Sequence, residues 1–484
     1  MTSPTTATPH ILPVRSRREF LQRAGCGFGA LAFSYLLGLD GISGRAESIK
    51  LDPLNPLAPR GPHNAAKAKS VIWLFMEGGP SHLDLFDPKP MLDKLAGQPM
   101  PESFGRPLTA MGTASNTLMP SKRSFKRHGQ SGIWVSDWLP NIAQHVDDMC
   151  VIRSCWADGL NHVGSVCQMN TGDILAGRPA LGAWTTYGLG TPNQNLPAFV
   201  IMADGADPVG GPKNWSAGFL PATFEGTVFR TEGAPIYYLD PPPTIGPRQQ
   251  RSKLDLLAKL NQHFGADKFD DTQLSARLNS YELAYRMQAA TPEAVDLKNE
   301  SEATKKLYGL DEKETEKFGS MCLLARRLVE RGVRFVQCYS GSNSGWDAHE
   351  DLEKNHSKHC KASDQPIGAL LTDLRARGLL ESTLVVWAGE FGRTPFNEKG
   401  KGRDHNPWGF TIWMAGAGVK PGTVVGETDE IGLRAIRNRA HVHDIHATIL
   451  HLLGMDHERL TYLHNGRDER PTINSGEVIK EVIA

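Results

Sequence analysis

Short apolar runs, each closed by a polar turn, punctuate the chain. Val71-Ile72-Trp73-Leu74-Phe75-Met76 is the first, and Met149 to Ser154, Leu196 to Met202, Val333 to Tyr339, Leu384 to Ala388 and Phe410 to Met414 follow. Their length predicts strands, and the unbroken runs 71–76 and 384–388 suit buried strands of a largely parallel sheet. Between them the apolar spacing becomes helical. Phe318, Cys322, Ala325 and Val329 form one stripe, and Ile367, Leu370, Leu371 and Leu374 another, with Gly332 and Gly378 closing the two helices. The second helix lies between runs 333–339 and 384–388, so those strands are expected to be parallel. Arg251 to Lys317 carries Leu254, Leu257, Ala258, Leu274, Leu278, Tyr281 and Tyr285 at helical spacing between charged faces. It is expected to be a helical insertion, about 250–317, covering the sheet. The predicted fold class is α/β: a mostly parallel central sheet with helices on both faces, plus that insertion.

Ligands in open α/β sheets sit outside the carboxyl ends of the strands, and polar residues collect there in this chain. Glu77, Ser81, His82 and Asp84 follow the first run, while Asn161 and His162 open a helix after the second. Asp347, His349 and Asp351 alternate along the loop after 333–339, and Glu390, Arg393, Asp404 and His405 lie in the loop after 384–388. Carboxylates and imidazoles on one rim suit a divalent cation or proton transfer. Asn161 and His162 would lie where free helix N–H groups and the dipole favour an anion. Each cluster alone also has a structural reading: Ser81 or Asn161 as a helix cap, 347–351 as an Asx-rich turn, Glu390 and His405 on a solvated loop. For His441 to Gly454 the structural reading leads, a helix capped by Asp444 with Ile445, Ile449, Leu452 and Leu453 inward. The basic run Ser121 to His128, inside the irregular stretch 86–148, reads as a solvated loop or as a contact for an anionic substrate.

Charge narrows the partners. Lys+Arg and Asp+Glu are 53 each in 484 residues; the first 46 hold five basic and two acidic side chains, leaving 48 against 51, net −3. That balance argues against nucleic acid. Ser16-Arg17-Arg18-Glu19-Phe20-Leu21, the apolar segment Ala24 to Leu39 and the small residues of Gly44-Arg45-Ala46 match a twin-arginine export signal ending near Glu47. A short amphipathic helix is the alternative. Residues 47–69 read as a linker. No later segment reaches spanning length, so the mature protein is expected to be soluble, in the periplasm or secreted. Of seven cysteines, Cys26 falls in the signal, and the rest show no CxxC spacing for a zinc–thiolate site. An oxidising compartment permits disulfides among them, although Cys322 and Cys338 read as buried apolar residues.

The order of motifs resembles that of the alkaline-phosphatase superfamily, and is most similar to an uncharacterised family of exported, sulfatase-like bacterial proteins. The resemblance spans nearly the whole mature chain. It is carried by GGPSHLDLFDPKP (78–90), WDAHED (346–351), VVWAGEFGRTP (385–395), GRDHNPWGF (402–410) and HVHDIHATILHLLG (441–454). It implies one sulfatase-like α/β domain over 70–484. It also implies a metal-binding acid at Glu77, with Asp347, His349 and His405 on one metal and Glu390 at the strand end that serves a second. In two places the chain departs from the family pattern. His162 stands at the nucleophile's place, and Glu390-Phe391 replaces an Asp-His pair. A histidine there would attack phosphorus itself, or bind metal while water attacks.

The function expected is an exported metal-dependent hydrolase of sulfate or phosphate esters, on a small molecule or polysaccharide bearing them. Glu77, Asp84, Asp347, His349, Glu390 and His405 are the expected ligands, and His162, Asn161, His82 and Arg393 the expected catalytic and anion-binding groups. Such donors favour Zn or Mn over Ca or Mg. The competing expectation is a catalytically degenerate sulfatase-fold protein that grips anionic glycan without turnover. A structural envelope protein, with affinity for neither metal nor anion, is the third.

Overall fold

The computed structural model describes residues 49–484 apart from 53–54, 231–235, 237–243, 266–271 and 342. The export signal expected over 1–46 lies outside the described residues. Within them, nine strands form the central sheet: β1 (Ser70–Met76), β2 (Met149–Trp156), β3 (Phe199–Ala203), β4 (Thr227–Val228), β5 (Phe335–Ser340), β6 (Thr383–Ala388), β7 (Phe410–Ala415), β8 (Thr423–Val425) and β9 (Ala440–His441). Their order is β8-β2-β7-β6-β1-β5-β3-β4, with β9 also on β2. All pairs are parallel except those of β7, which runs against β6 and β2. β5 and β6 flank β1 in parallel, the crossover that the sequence predicts. Reversal of β7 brings its amino end to the edge where β1, β2, β5 and β6 end. That edge thus collects the loops after β1, β2, β5 and β6, the last of which leads into β7.

The longer helices are α1 (His162–Thr171), α2 (Leu181–Leu189), α3 (Pro247–Gly265), α4 (Thr272–Val295), α5 (Glu316–Glu330), α6 (Leu352–Ala376) and α7 (Val442–Leu452). Successive side chains of a strand point to opposite faces. Val71, Trp73 and Phe75 of β1 accordingly enter one core with α1, α2 and α7, while Ile72, Leu74 and Met76 enter another with α4, α5 and α6. Helices therefore cover both faces. The stripes Phe318-Cys322-Ala325-Val329 and Ile367-Leu370-Leu371-Leu374 are buried as their periodicity requires. The six cysteines from Cys150 to Cys360 are free and buried, so the disulfides that export permits are not formed among them. Among the described residues no helix is long and apolar enough to cross a membrane.

Two local expectations need correction. The helix cap of α7 is His441, not Asp444; Asp444 sits inside the first turn and accepts the His441 N–H at 2.7 Å in a capping box. The basic run 121–128 is not a plain loop. Phe125–His128 pairs antiparallel with Ile133–Ser136, and Arg123 bonds Glu353.

Three core histidines carry a consequence for acid stability. His82, His356 and His446 are fully buried, and burial pushes their imidazoles down to about 4, 3 and 3. Each holds a hydrogen bond as a neutral ring, His446 Nε2 to Met169 O at 2.9 Å, His356 Nε2 accepting the Ser81 N–H at 2.9 Å and His82 Nε2 to Gly432 O at 2.8 Å, while His82 Nδ1 has no partner among the described residues. A lowered imidazole charges first in the unfolded chain, so stability present above about pH 6.5 is lost as pH falls towards 4. At pH 5 the loss is on the order of 2 kcal/mol per histidine. Glu77, raised by burial to about 7, works the other way between pH 4.5 and 7, while His359, lowered by burial to about 4, adds to the loss. The Tm of metal-free protein should therefore be lower at pH 5 than at pH 7, by differential scanning calorimetry.

Candidate metal centre at the carboxyl edge

β1 ends at Met76, and Gly78 makes the turn that follows. Its φ of +114° suits glycine, and a Cβ there would lie 2.6 Å from the backbone nitrogens of Trp346 and Asp347. The close approach seats the loop after β5 directly on the end of β1. Its partner loop, after β6, folds back on itself through a short antiparallel ladder in which Arg393 faces His405. α1 begins after β2 with Asn161 as cap, whose side chain accepts the Gly164 N–H at 2.9 Å. These three constraints converge on Asp347.

His162, Asp347, His349 and His405 form a group whose ligand atoms all lie within 4.8 Å of one another. Asp347 Oδ1 is 3.0 Å from His349 Nε2 and 3.3 Å from His405 Nε2, and the two Nε2 atoms are 3.0 Å apart. His162 Nε2 lies 3.2 Å from Asp347 Oδ2. Donors about 2.1 Å from a tetrahedral ion would stand about 3.4 Å from one another, so these edges fit an ion's shell closely. Each ring is also aimed. Nδ1 of His162 bonds Glu390 at 2.7 Å, Nδ1 of His349 bonds Glu398 at 2.5 Å, and Nδ1 of His405 donates to Leu160 O at 2.7 Å. An acceptor on Nδ1 fixes the tautomer that leaves the Nε2 lone pair facing inward. The residues fit a divalent cation.

Without one, protons and Arg393 balance the charge. Burial alone would raise the Asp347 carboxyl, but bonds from His162, His349 and His405 and the charge of Arg393 hold it far below the usual carboxylate range. Burial lowers His162, yet bonds to Asp347 and Glu390 outweigh it and raise the imidazole to about 9. His349 is raised for the same reason by Asp347 and Glu398. His405 is lowered, because burial, Arg393 and His162 together outweigh its bonds to Asp347 and Leu160.

Of the other expected site residues, Glu390 and Arg393 touch these four from outside the group, while Glu77, Asp84 and His82 are held by other partners. Glu390 is fully buried and supports His162 from behind, both of its oxygens also accepting the Gly78 N–H at 3.0 and 3.1 Å. Glu77 Oε1 accepts the N–H groups of Val209 and Ser344, while its Oε2 has no partner among the described residues. Asp84 is held by Arg403 and Ser81, and His82 by Gly432 O at 2.8 Å, so neither reaches the centre. Arg393 is spent on structure: it donates to the carbonyls of Gly78, Gly79 and Arg403 and to Asp347 at 2.6 Å, which leaves it positioning Asp347 instead of receiving an anion. Asp351 caps α6. Phe391 stacks on His405 with centroids 4.4 Å apart and so forms a wall of the centre.

Glu398 is the residue that sequence reasoning missed. The only signal was an acid in the glycine-rich, basic loop that also carries His405. Glu398→Gln keeps the shape but weakens the charge behind His349, and should reduce metal affinity 10- to 100-fold. Equilibrium competition with a chromogenic chelator measures this.

Residues 68–483 match the family described as Protein of unknown function (DUF1501). No curated protein matches the sequence. Among solved structures the chain is similar to the alkaline phosphatase from the Antarctic bacterium TAB5 (11% identity, 81% of this chain and 99% of that one, TM-score 0.33). It is also similar to the lipoteichoic acid synthase LtaP from Listeria monocytogenes (9%, 84% and 79%, TM-score 0.36) and to PsFucS1 sulfatase from Pseudoalteromonas sp. (13%, 82% and 68%, TM-score 0.33).

Proposed function

The chain belongs to the DUF1501 family, and we propose from its metal centre that it is an exported metal-dependent hydrolase of sulfate or phosphate esters. One observation carries this reading: three Nε2 atoms meet on Asp347 while every Nδ1 is occupied from behind. A divalent cation held by His162, Asp347, His349 and His405 supplies Lewis acidity towards an ester oxygen. Three imidazoles and one carboxylate suit Zn or Mn better than Ca or Mg. With Nε2 given to the cation, His162 keeps its remaining proton on Nδ1, bonded to Glu390 at 2.7 Å, so its part here is as a ligand held in orientation. It opens α1, so that helix's positive end faces the same place and favours the ester's anion. Export by the twin-arginine route, to the periplasm or beyond, rests on Arg17-Arg18 and the apolar segment after them. A sulfated or phosphorylated small molecule or polysaccharide is the substrate proposed.

One observation favours the other reading, a binder of anionic glycan without turnover. No hydroxyl or thiol stands where His162 does, and Arg393 is fully engaged. Elemental analysis with aryl-sulfate and aryl-phosphate assays separates the two. The hydrolase turns over at least one ester, loses it to chelator and regains it with zinc or manganese. Bound metal without turnover supports the binder.

A further inference from the structure

A cavity of about 1010 Å³ opens beside the centre and shares Asp347 and His349 with it. Its far wall is the first two turns of α6 and the segment before α5. Lys313, Lys354 and Lys358 are exposed on that wall, and among the described residues their ammonium groups make no hydrogen bond or ion pair. The wall's acids are engaged. Asp351 accepts the Lys354 N–H at 3.0 Å, Glu314 pairs with Lys361 at 3.3 Å, Glu350 pairs with Lys399 at 3.1 Å, and Asp204 accepts the Gly341 N–H at 2.9 Å. Glu314 and Glu350 are thus paired with lysines while Asp351 and Asp204 keep their charge, and the cations of this wall without a paired acid are concentrated at Lys313, Lys354 and Lys358. Lys354 and Lys358 sit one turn apart on one face of α6, about 6 Å along its axis.

Cations spaced in this way along a cavity that ends at the metal centre match several anions in a row better than one. Building on the ester-hydrolase reading, we propose that this cavity is a second anion subsite. Its ligand is an extended glycan with at least two sulfate or phosphate groups, one at the centre and another on Lys354, Lys358 and Lys313. Sulfate and phosphate offer the same oxygens to a lysine, so the shared chemistry is a tetrahedral anion repeated along a sugar chain.

The test titrates zinc-loaded mature protein with a dextran sulfate oligomer, a dextran phosphate oligomer of similar length, neutral dextran and glucose 6-sulfate. The double variant Lys354→Glu/Lys358→Glu is compared with wild type by calorimetry. Wild type should bind one charged oligomer at least tenfold more tightly than glucose 6-sulfate, and the tighter oligomer identifies the anion. The double variant should lose at least tenfold for that oligomer and less than twofold for glucose 6-sulfate, at unchanged Tm. Lys354→Gln/Lys358→Gln should lose less, and 0.5 M salt should shrink the difference, because exposed pairs are screened. Equal oligomer affinity in variant and wild type, or no preference of wild type for oligomer, overturns the subsite. Aryl-ester turnover by wild type is scored separately, so its absence counts against the hydrolase and leaves the binding contrast to judge the subsite.

Discussion

Asp347→Ala is expected to abolish stoichiometric zinc binding and any ester turnover with it. Three imidazoles and the Arg393 guanidinium are gathered on this one carboxylate, at 2.6 to 3.3 Å. Removing it takes away an anionic ligand and leaves four cationic or cation-ready groups facing one another. Loss of a supporting carboxylate alone costs about 10- to 100-fold in metal affinity, so loss of this central ligand should exceed 100-fold. His349→Ala should fall in the same range, since it removes one edge of the shell and strands Glu398. Elemental analysis after dialysis reads the stoichiometry. Thermal denaturation gives an independent reading: zinc at about 100 times its Kd should stabilise wild type by about 2.7 kcal/mol and the alanine variants not at all. Equal zinc-induced shifts in wild type and Asp347→Ala would place the metal elsewhere.

Arg403→Met should destabilise the fold by about 3–5 kcal/mol, the usual cost of removing one partner of a buried ion pair. Arg403 and Asp84 are both fully buried, with Nε 2.9 Å from Oδ2. The aliphatic replacement fills much of the volume but leaves the buried Asp84 charge with only the hydroxyls of Ser121 and Ser81 as side-chain partners. The effect reaches the centre as well, because Arg403 and His405 belong to one short loop anchored on Thr394. Metal affinity should fall together with stability. Asp84→Leu/Arg403→Met should recover much of the loss, since replacing both partners by apolar groups removes the unpaired charge. Urea denaturation of the single and double variants measures the difference, and a double variant as unstable as the single one would contradict the ion-pair explanation.

The legible part of this molecule was the part written in runs and spacings. β1 and β6 carry unbroken apolar runs, β5 is apolar except at Gln337 and Ser340, and α5 and α6 carry complete apolar stripes, so a mostly parallel sheet with helices on both faces follows from the sequence. The loops that bring Asp347, His349 and His405 to one edge were legible too, because strand ends mark where loops open. What spacing does not encode is which side chain turns inward. Glu390 reads as a ligand by position, yet the Gly78 N–H and His162 claim its oxygens. Asp84 reads as a ligand by proximity to Glu77, yet its partner is Arg403, far away in sequence. Asp351 alternates with Asp347 and His349 along the chain, but the free N–H groups of α6 capture it. In each instance a local or distant donor outcompeted the metal site, and a donor's position is a property of the folded chain.

The most direct test of the centre is a crystal of the mature protein soaked in zinc, with data collected on both sides of the zinc absorption edge. The arrangement described here predicts an anomalous peak bonded to Nε2 of His162, His349 and His405 and to Asp347. A peak held by Glu77 and Asp84, or none at a zinc concentration that saturates binding in solution, would contradict it.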